Sequence, residues 1–232
     1  MKPHLVCHMI TSLDGRLHPS GWSRSPDGTR GEWSGIYERL HEALDGDGWI
    51  VGRVTMAEMA KGKPHPPAET GEVERRRHLP VRGAASYAIA LDRGGKLHFD
   101  GATLGGDPVV GLLGRDLPAH HPAALGAAGL RPPGSEGGGP DPAALLTEIG
   151  RELGIRRLLL EGGANANGAF FAAGLVDEVS LLLCPALDGR TGVSTLEEAG
   201  PAGLADKVEL SLISCEASGH GTLHLRYAVT SA

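Results

Sequence analysis

The run Leu158-Leu159-Leu160-Glu161-Gly162-Gly163-Ala164-Asn165-Ala166-Asn167-Gly168 predicts the central strand-to-helix unit of the fold. Three leucines indicate a buried strand, two glycines a tight turn, and the following residues a helix. At such a junction, free backbone amides and the helix dipole favour an anion, and glycine lets a phosphate approach the backbone closely. The motif therefore indicates either a site for a phosphate-bearing ligand or an ordinary tight turn. It lacks the GxGxxG spacing, which disfavours an ordinary Rossmann domain.

Outward from this motif, short apolar runs alternate with helical patterns, which is typical of a mainly parallel sheet. The predicted strands are Leu5–Ile10, Trp49–Gly52, Ser86–Leu91, Val109–Leu113, Arg157–Leu160, Val176–Cys184, Val208–Glu216 and Thr222–Val229. The last two flank Ser218-Gly219-His220-Gly221, which favours a hairpin turn. The sequence thus predicts an α/β fold, a three-layer α/β/α sandwich with a mostly parallel central sheet and an antiparallel C-terminal hairpin.

Helices are predicted at Ser34–Leu44, Thr55–Lys61, Pro142–Leu153 and Ala166–Ala173. The third has the clearest bounds, because Asp141 suits its N-cap and Gly154 its C-terminal end. Residues 126–140 are rich in glycine and proline, so we expect a flexible surface loop there. Length and apolar content favour a single domain over residues 1–232.

Composition excludes several classes of partner. The chain has 22 basic and 28 acidic residues and a formal charge of −6, so it lacks the positive field that nucleic acid or an anionic membrane requires. Its cysteines, Cys7, Cys184 and Cys215, form no CxxC pair, and we expect buried, reduced thiols. The N-terminus resembles neither a signal peptide nor a membrane span, which predicts a cytoplasmic protein.

Metal and hydrolase sites are not predicted. The chain contains 11 histidines, but no Cys/His cluster has the spacing of metal ligands. The run Gly31-Glu32-Trp33-Ser34-Gly35 lacks the G-x-S-x-G spacing of a nucleophilic serine. Trp22 and Trp33 lie in the predicted loop after the first strand, where an aromatic ring either stacks on a substrate or packs in the core.

Two further strand ends carry polar residues. After Gly52, Arg53 suits a phosphate monoester and Thr55 suits a helix cap that donates to a pyrophosphate; a capped helix with a solvated arginine is the alternative. Two anion sites on one sheet indicate a dinucleotide phosphate. At the end of the first strand, Asp14 either takes part in chemistry or fixes a turn with Gly15.

In their order, Ser12–Arg16, Val51–Thr55, Glu161–Asn165 and Gly174–Glu178 resemble the RibD C-terminal family, the reductase domain of riboflavin-biosynthesis enzymes. The Gly52-Arg53-x-Thr55 and Gly162-Gly163 elements are also similar to the cofactor motifs of dihydrofolate reductases. The resemblance implies a dihydrofolate-reductase-like fold and an NADPH-dependent reductase. Such an enzyme transfers a hydride to a C=N or C=O group of a pyrimidine- or pterin-related substrate, and the family commonly forms homodimers.

The resemblance also implies roles for individual residues. The residues expected on the pyrophosphate are Gly162, Gly163, Ala164, Asn165, Ala166 and Asn167, with Thr55 beside them. Arg53 is expected near the 2′-phosphate, Arg93 near the adenosine, and Ile10 with Thr11 against the nicotinamide. Glu161 matches the family's substrate-contacting glutamate, and with Trp33 it forms the predicted substrate contact. Glu161 is the first candidate for orienting or protonating the substrate, and Asp14 is the second.

The chain departs from the family pattern in ways that leave the substrate open. Met59 stands where the family has aspartate, and no arginine that would hold a ribose-phosphate tail is recognisable around Ala43 or Pro66. The chain therefore resembles 5-amino-6-(5-phosphoribosylamino)uracil reductase but lacks recognisable arginines for the ribose-phosphate of its substrate. The alternatives are an NADPH-binding scaffold without chemistry and a dihydrofolate-type reductase, for which Glu32 and Glu38 lack the register of a proton donor.

Overall fold

The structure is a computed structural model of the chain. It describes residues 1–59, 82–92, 96–97, 99, 101–113, 128–130, 141–193, 195–196 and 198–232. Their contacts divide into two compact units, one formed by Met1–Pro3 with Asp47–Leu158 and the other by His4–Gly46 with Leu159–Ala232. Arg93 and most of the predicted loop over residues 126–140 lie outside the described residues. The single domain remains a prediction.

The described part of the chain contains both strands and helices. The described strands are β1 (His4–Ser12), β2 (Gly48–Gly52), β3 (Ala88–Asp92), β4 (Thr103–Leu104), β5 (Asp107–Leu113), β6 (Ala128–Leu130), β7 (Arg157–Leu160), β8 (Glu178–Cys184), β9 (Val208–Gly219) and β10 (Thr222–Ser231). The described helices are α1 (Arg30–Ala43), α2 (Arg53–Met59), α3 (Pro142–Leu153) and α4 (Ala164–Ala172), with a 3-10 turn at Pro19–Gly21. In this described part, no helix has the length and apolar character needed to span a membrane.

The strands of the first unit pair mainly in parallel. The pairs β2 with β3, β3 with β5, and β5 with β6 are parallel, whereas the short β4 is antiparallel to β5. Ile50, Ile89 and Val110 are completely buried. Strands covered on both faces have continuous apolar sequences rather than alternating ones, and this explains why β2 and β3 were predicted from apolar runs.

The second unit combines a parallel pair with antiparallel C-terminal strands. β1 pairs in parallel with β8, and β10 pairs antiparallel with both β8 and β9. The predicted hairpin is confirmed, and its turn residues Gly219, His220 and Gly221 have φ angles of 87°, 49° and 72°. With mostly parallel pairing and an antiparallel ending, the predicted α/β fold class is confirmed.

Helix bounds agree with local end signals. The bounds of α3 are confirmed, since the Asp141 side chain accepts a hydrogen bond from the Ala143 amide and Gly154 has a φ of 74°. Helix α1 begins at Arg30 rather than at the predicted Ser34. It starts earlier because Thr29 and Glu32 form a reciprocal capping box, in which each side chain satisfies a backbone amide of the other residue.

Two predictions about segments are wrong. Residues Ala128–Leu130, predicted to lie in a flexible loop, form β6 and pair in parallel with β5. Cys215, predicted to be buried, is exposed on β9, whereas Cys7 and Cys184 are buried, and all three thiols are free. Strand pairing decides the first case and the exposure of most of β9 the second, and local composition reports neither.

Candidate active site

The turn between β7 and α4 has a conformation that requires glycine. Gly162 has a φ of 113° and Gly163 a φ of 43°, which residues with a Cβ rarely adopt. A Cβ at Gly162 would also lie 3.3 Å from the Cε atom of Met9 on β1. Glycine therefore permits both the sharp turn and its close approach to β1.

The first turn of α4 presents backbone amides without a side-chain cap. Gly163 is the N-cap residue and makes no capping hydrogen bond through a side chain. The amides of Ala166 and Asn167 donate to the Gly163 carbonyl at 2.9 and 3.0 Å. The amides of Ala164 and Asn165 have no hydrogen-bond partner among the described residues. Two open amides at a helix N-terminus fit an anionic group such as a pyrophosphate.

Another face of α4 packs against the segment that precedes β9. The Asn167 side chain is completely buried, and its Nδ2 donates to the Leu196 carbonyl at 2.7 Å. A Cβ at Gly168 would overlap the Glu198 carbonyl, and the Glu198 amide donates to the Ala164 carbonyl at 2.9 Å. The Asn167 side chain thus serves internal packing, and its contact with a cofactor stays a prediction.

Glu161 follows β7 directly and pairs with a histidine from α1. Its Oε1 lies 2.7 Å from Nδ1 of His41, and the two side chains are 7% and 28% exposed. Burial raises the pKa of Glu161, while the hydrogen bond and charge of His41 oppose that rise. A shielded carboxyl whose pKa is raised suits both the orientation and the protonation of a substrate.

Tyr37 lies one helical turn before His41 and contacts the same carboxyl. Its hydroxyl donates to the His8 carbonyl at 3.2 Å, and it also interacts with Glu161. Burial first, and then the charge of Glu161, raises the pKa of Tyr37 well above its usual value, so the hydroxyl keeps its proton. Helix α1 therefore brings two polar side chains next to Glu161.

His8 belongs to a buried polar row across β1, β8 and β10. Its ring stacks on Tyr37 with centroids 4.3 Å apart. Its Nδ1 lies 3.0 Å from the Ser180 hydroxyl, which lies 2.8 Å from Nε2 of His224. Burial lowers the pKa of His8 to about 4. The imidazole is therefore neutral near pH 7, and its hydrogen bonds offset the cost of burying it.

Asp14 lies in the turn after β1 and binds the backbone of a distant segment. Its carboxylate accepts hydrogen bonds from the Ser12 hydroxyl at 2.5 Å and from the amides of Asp188 and Gly189 at 3.1 and 2.8 Å. These bonds, the one from Ser12 foremost, hold the pKa of Asp14 well below its usual range. The contacts match the turn-fixing interpretation, and a part in the chemistry stays a prediction.

The other predicted cofactor contacts lie near two strand ends. Thr11 is buried and Ile10 is partly buried at the C-terminal end of β1. Arg53 is exposed at the first position of α2, and Thr55 is partly buried at the third. The prediction that Thr55 begins and caps this helix is therefore wrong, because the helix already begins at Arg53.

Trp33 lies on α1, so its predicted position in a loop is wrong, and it is only 1% exposed. The ring packs against Trp22, Ile36 and other buried residues, and its Nε1 donates to the His220 carbonyl at 3.0 Å. It also lines a cavity of about 490 Å³ together with Arg24, Arg30 and neighbouring small residues. Packing describes its observed position, and contact with a substrate stays a prediction.

Sequence reasoning did not identify His41, Tyr37 or His8 as site residues. Tyr37 and His41 are four positions apart, so they lie on one face of α1, and this spacing was the available signal. Their partner Glu161 is 120 residues from His41. No local pattern joins residues at that separation.

Comparison with known proteins places the chain in a family. The RibD C-terminal domain matches residues 3–224. A relative from Methanothermobacter thermautotrophicus, 2,5-diamino-6-ribosylamino-4(3H)-pyrimidinone 5′-phosphate reductase, is 39% identical over 69 residues, which are 29% of this chain and 32% of the relative.

Solved structures share the fold at low identity. Acinetobacter baumannii RibD has a TM-score of 0.64 and 19% identity, covering 99% of this chain and 58% of RibD. A pyrimidine reductase-like protein from Corynebacterium diphtheriae has a TM-score of 0.65 and 18% identity, covering 99% of this chain and 93% of that protein. The chain thus spans little more than half the length of RibD. Since the family match extends over nearly all of the sequence, the chain belongs to the RibD C-terminal domain family.

Proposed function

We propose that the protein is an NADPH-dependent reductase that transfers a hydride to a C=N or C=O group of a small pyrimidine- or pterin-related substrate. The observation that carries the proposal is the position of Glu161. Its shielded carboxyl directly precedes the glycine turn and the uncapped start of α4. A group suited to orient substrate therefore adjoins a donor set suited to an anionic cofactor. Membership of the RibD C-terminal domain family supports the same reaction class.

The open amides of Ala164 and Asn165, with the glycines before them, would hold the pyrophosphate of NADPH. Bound NADPH would supply the hydride. The further contacts that we propose are Arg53 at the 2′-phosphate, Thr55, Ala166 and Asn167 at the pyrophosphate, Arg93 at the adenosine, and Ile10 with Thr11 at the nicotinamide.

Glu161 is the residue that we assign to the substrate. Its pKa is raised by burial, which favours a carboxyl that carries a proton and donates it to a substrate heteroatom. Asp14 is the second candidate for orienting or protonating the substrate. It ranks below Glu161 because its carboxylate is ionised and already accepts several hydrogen bonds that fix a turn. Trp33 is proposed as part of the substrate wall through the cavity that it lines.

The named relatives guide the choice of substrate. The Methanothermobacter relative is named for a ribosylamino-pyrimidinone 5′-phosphate, so an aminopyrimidine of this kind is the first compound to test. No arginine around Ala43 or Pro66 is recognisable as a partner for the ribose-phosphate tail. We therefore propose that the protein recognises the heterocycle of the substrate rather than its phosphate.

We also propose that the protein works as a cytoplasmic homodimer that contacts neither nucleic acid nor membrane. Three free thiols fit a reducing compartment. The dimer is supported by the exposed apolar residues of β9, where Leu210 and Leu212 are 55% and 60% exposed. Single exposed leucines are ordinary, but several along one strand favour an interface.

A second candidate, an NADPH-binding scaffold without chemistry, is favoured by the departures from the family pattern at Met59, Ala43 and Pro66. Turnover distinguishes the two, because a scaffold binds NADPH but does not oxidise it, whichever substrate is added. A panel of aminopyrimidine ribosides, imines and dihydrofolate would test the scaffold and the dihydrofolate-type reductase together.

The first test is titration of the purified protein with NADPH and NADH, followed by fluorescence. We expect Gly163→Val to abolish binding of both, because a branched side chain fits neither the positive φ nor the approach of a phosphate. Arg53→Ala should weaken the binding of NADPH about tenfold or more and leave the binding of NADH nearly unchanged, because only NADPH carries the 2′-phosphate. Arg156→Ala, at an exposed arginine away from these motifs, is the control. A wild type that binds neither nucleotide would refute the reductase.

A further inference from the structure

His41 occupies the last turn of α1, where unpaired carbonyls favour a positive charge. Its Nδ1 lies 2.7 Å from Oε1 of Glu161, a distance typical of a charge-assisted hydrogen bond. The His41 side chain is 28% exposed, whereas that of Glu161 is 7% exposed. The histidine therefore connects a shielded carboxyl with the surrounding water.

The groups around Glu161 leave His41 as its main electrostatic partner. Burial raises the pKa of the carboxyl, and the negative charge of Glu38 on α1 adds to the rise. The hydrogen bond and charge of His41 lower it, and the hydroxyl of Tyr37 does so to a lesser extent. On the neighbouring β1, His8 is neutral near pH 7 because burial lowers its pKa to about 4. Among these neighbours, His41 most strongly opposes the effect of burial.

We propose that His41 is a positioning residue for the reduction: it orients the Glu161 carboxyl and returns a proton to it after each turnover. This inference rests on the function proposed above. It deepens that proposal by naming the route of the proton that hydride transfer demands.

Reduction of the substrate consumes one hydride and one proton. The substrate carbon accepts a hydride, its π bond to nitrogen or oxygen breaks, and the dihydronicotinamide is oxidised. The heteroatom takes the proton of the Glu161 carboxyl, so one O–H bond breaks and one N–H or O–H bond forms. The Nδ1 proton of the His41 imidazolium then moves to the Glu161 carboxylate and leaves a neutral imidazole, and a proton taken up from solvent restores the imidazolium.

The test compares wild type with His41→Gln and His220→Asn. Glutamine keeps a hydrogen-bond donor but carries no titrating proton. The control removes another histidine–glutamate pair, since Nδ1 of His220 lies 3.6 Å from Oε1 of Glu32 at the opposite end of α1. Asparagine tolerates the φ of 49° at His220. The readouts are kcat and KM against pH with the aminopyrimidine substrate, and the pKa of Glu161 from carbon NMR of its carboxyl in the protein without nucleotide.

We expect His41→Gln to lower kcat about tenfold or more and to change KM less than about threefold. The pKa of Glu161 should rise, because a contact that lowers it is lost. His220→Asn should leave these quantities unchanged. A wild-type kcat in His41→Gln, or an unaltered pKa of Glu161, would overturn this inference and leave the proposed reductase function intact. A wild type without NADPH binding would overturn both.

Discussion

The buried imidazole of His8 makes the stability of the protein depend on pH. Burial lowers its pKa from 6.5 to about 4 in the folded protein. Between these values the unfolded chain binds the proton more readily, so the free energy of unfolding falls as pH falls from about 6.5 towards about 4. Above that range His8 is neutral in both states and adds no pH dependence.

We predict that His8→Gln removes this contribution. One pKa unit corresponds to about 1.4 kcal/mol, so the full shift amounts to on the order of 3 kcal/mol. Urea unfolding of wild type and variant near neutral pH and near pH 4.5 should give a difference in stability that shrinks in acid. His18→Gln, at an exposed histidine, should show no such trend. A difference that stays constant with pH would contradict the assignment.

Helix α4 has a glycine in its interior, Gly168, where the backbone of Glu198 approaches closely. Gly168 costs a helix about 1 kcal/mol relative to alanine. A Cβ at this position would nevertheless overlap the backbone of Glu198. The close approach lets the Glu198 amide reach the Ala164 carbonyl, so backbone packing overrides helix propensity here.

Gly168→Ala should therefore destabilise the protein, by about 1 to 3 kcal/mol, as overpacking does. Gly35→Ala on α1 is the matched control, because the nearest atom to its added Cβ would be Nη1 of Arg39 at an ordinary 3.7 Å. That substitution should stabilise by up to about 1 kcal/mol. Urea unfolding measures both. A Gly168→Ala protein as stable as wild type would contradict this prediction, because the backbone at Glu198 would then move aside without cost.

At the level of the whole molecule, β9 is the strand with the most exposed apolar surface in the described part of the chain. It pairs with β10 along one edge, and Leu210 and Leu212, which share one face of it, are 55% and 60% exposed. A long, apolar edge strand promotes pairing with another chain unless it is covered. A second copy of the protein is the cover that we propose.

We predict that Leu212→Lys converts the dimer to a monomer, as measured by sedimentation velocity. The lysine places a charge on the face that also carries Leu210, and burying it is costly. Ser211→Lys is the control, because neighbouring side chains of a strand point to opposite faces. A monomeric wild type would refute the dimer, and dissociation by both variants would refute the assignment to this face.

Features that depend on neighbouring residues were predicted from the sequence. The bounds of α3 follow from Asp141 and Gly154, and the C-terminal hairpin follows from its glycines. The strand, turn and helix around Gly162 were likewise predicted, because a positive φ and a helix start are set by the few residues involved. The start of α1 was equally local, but its capping box at Thr29 was overlooked.

The sequence by itself therefore determined the α/β class, the approximate positions of most strands and helices, and the glycine turn, since backbone preferences and hydrophobic periodicity act over short distances. Tertiary structure alone decided which side chains meet. The pair of His41 with Glu161 spans 120 residues, and the contact of His8 with Ser180 spans 172. The indole of Trp33 likewise donates a hydrogen bond to the hairpin at His220, 187 residues away. Such contacts follow from strand order and register, which periodicity does not encode.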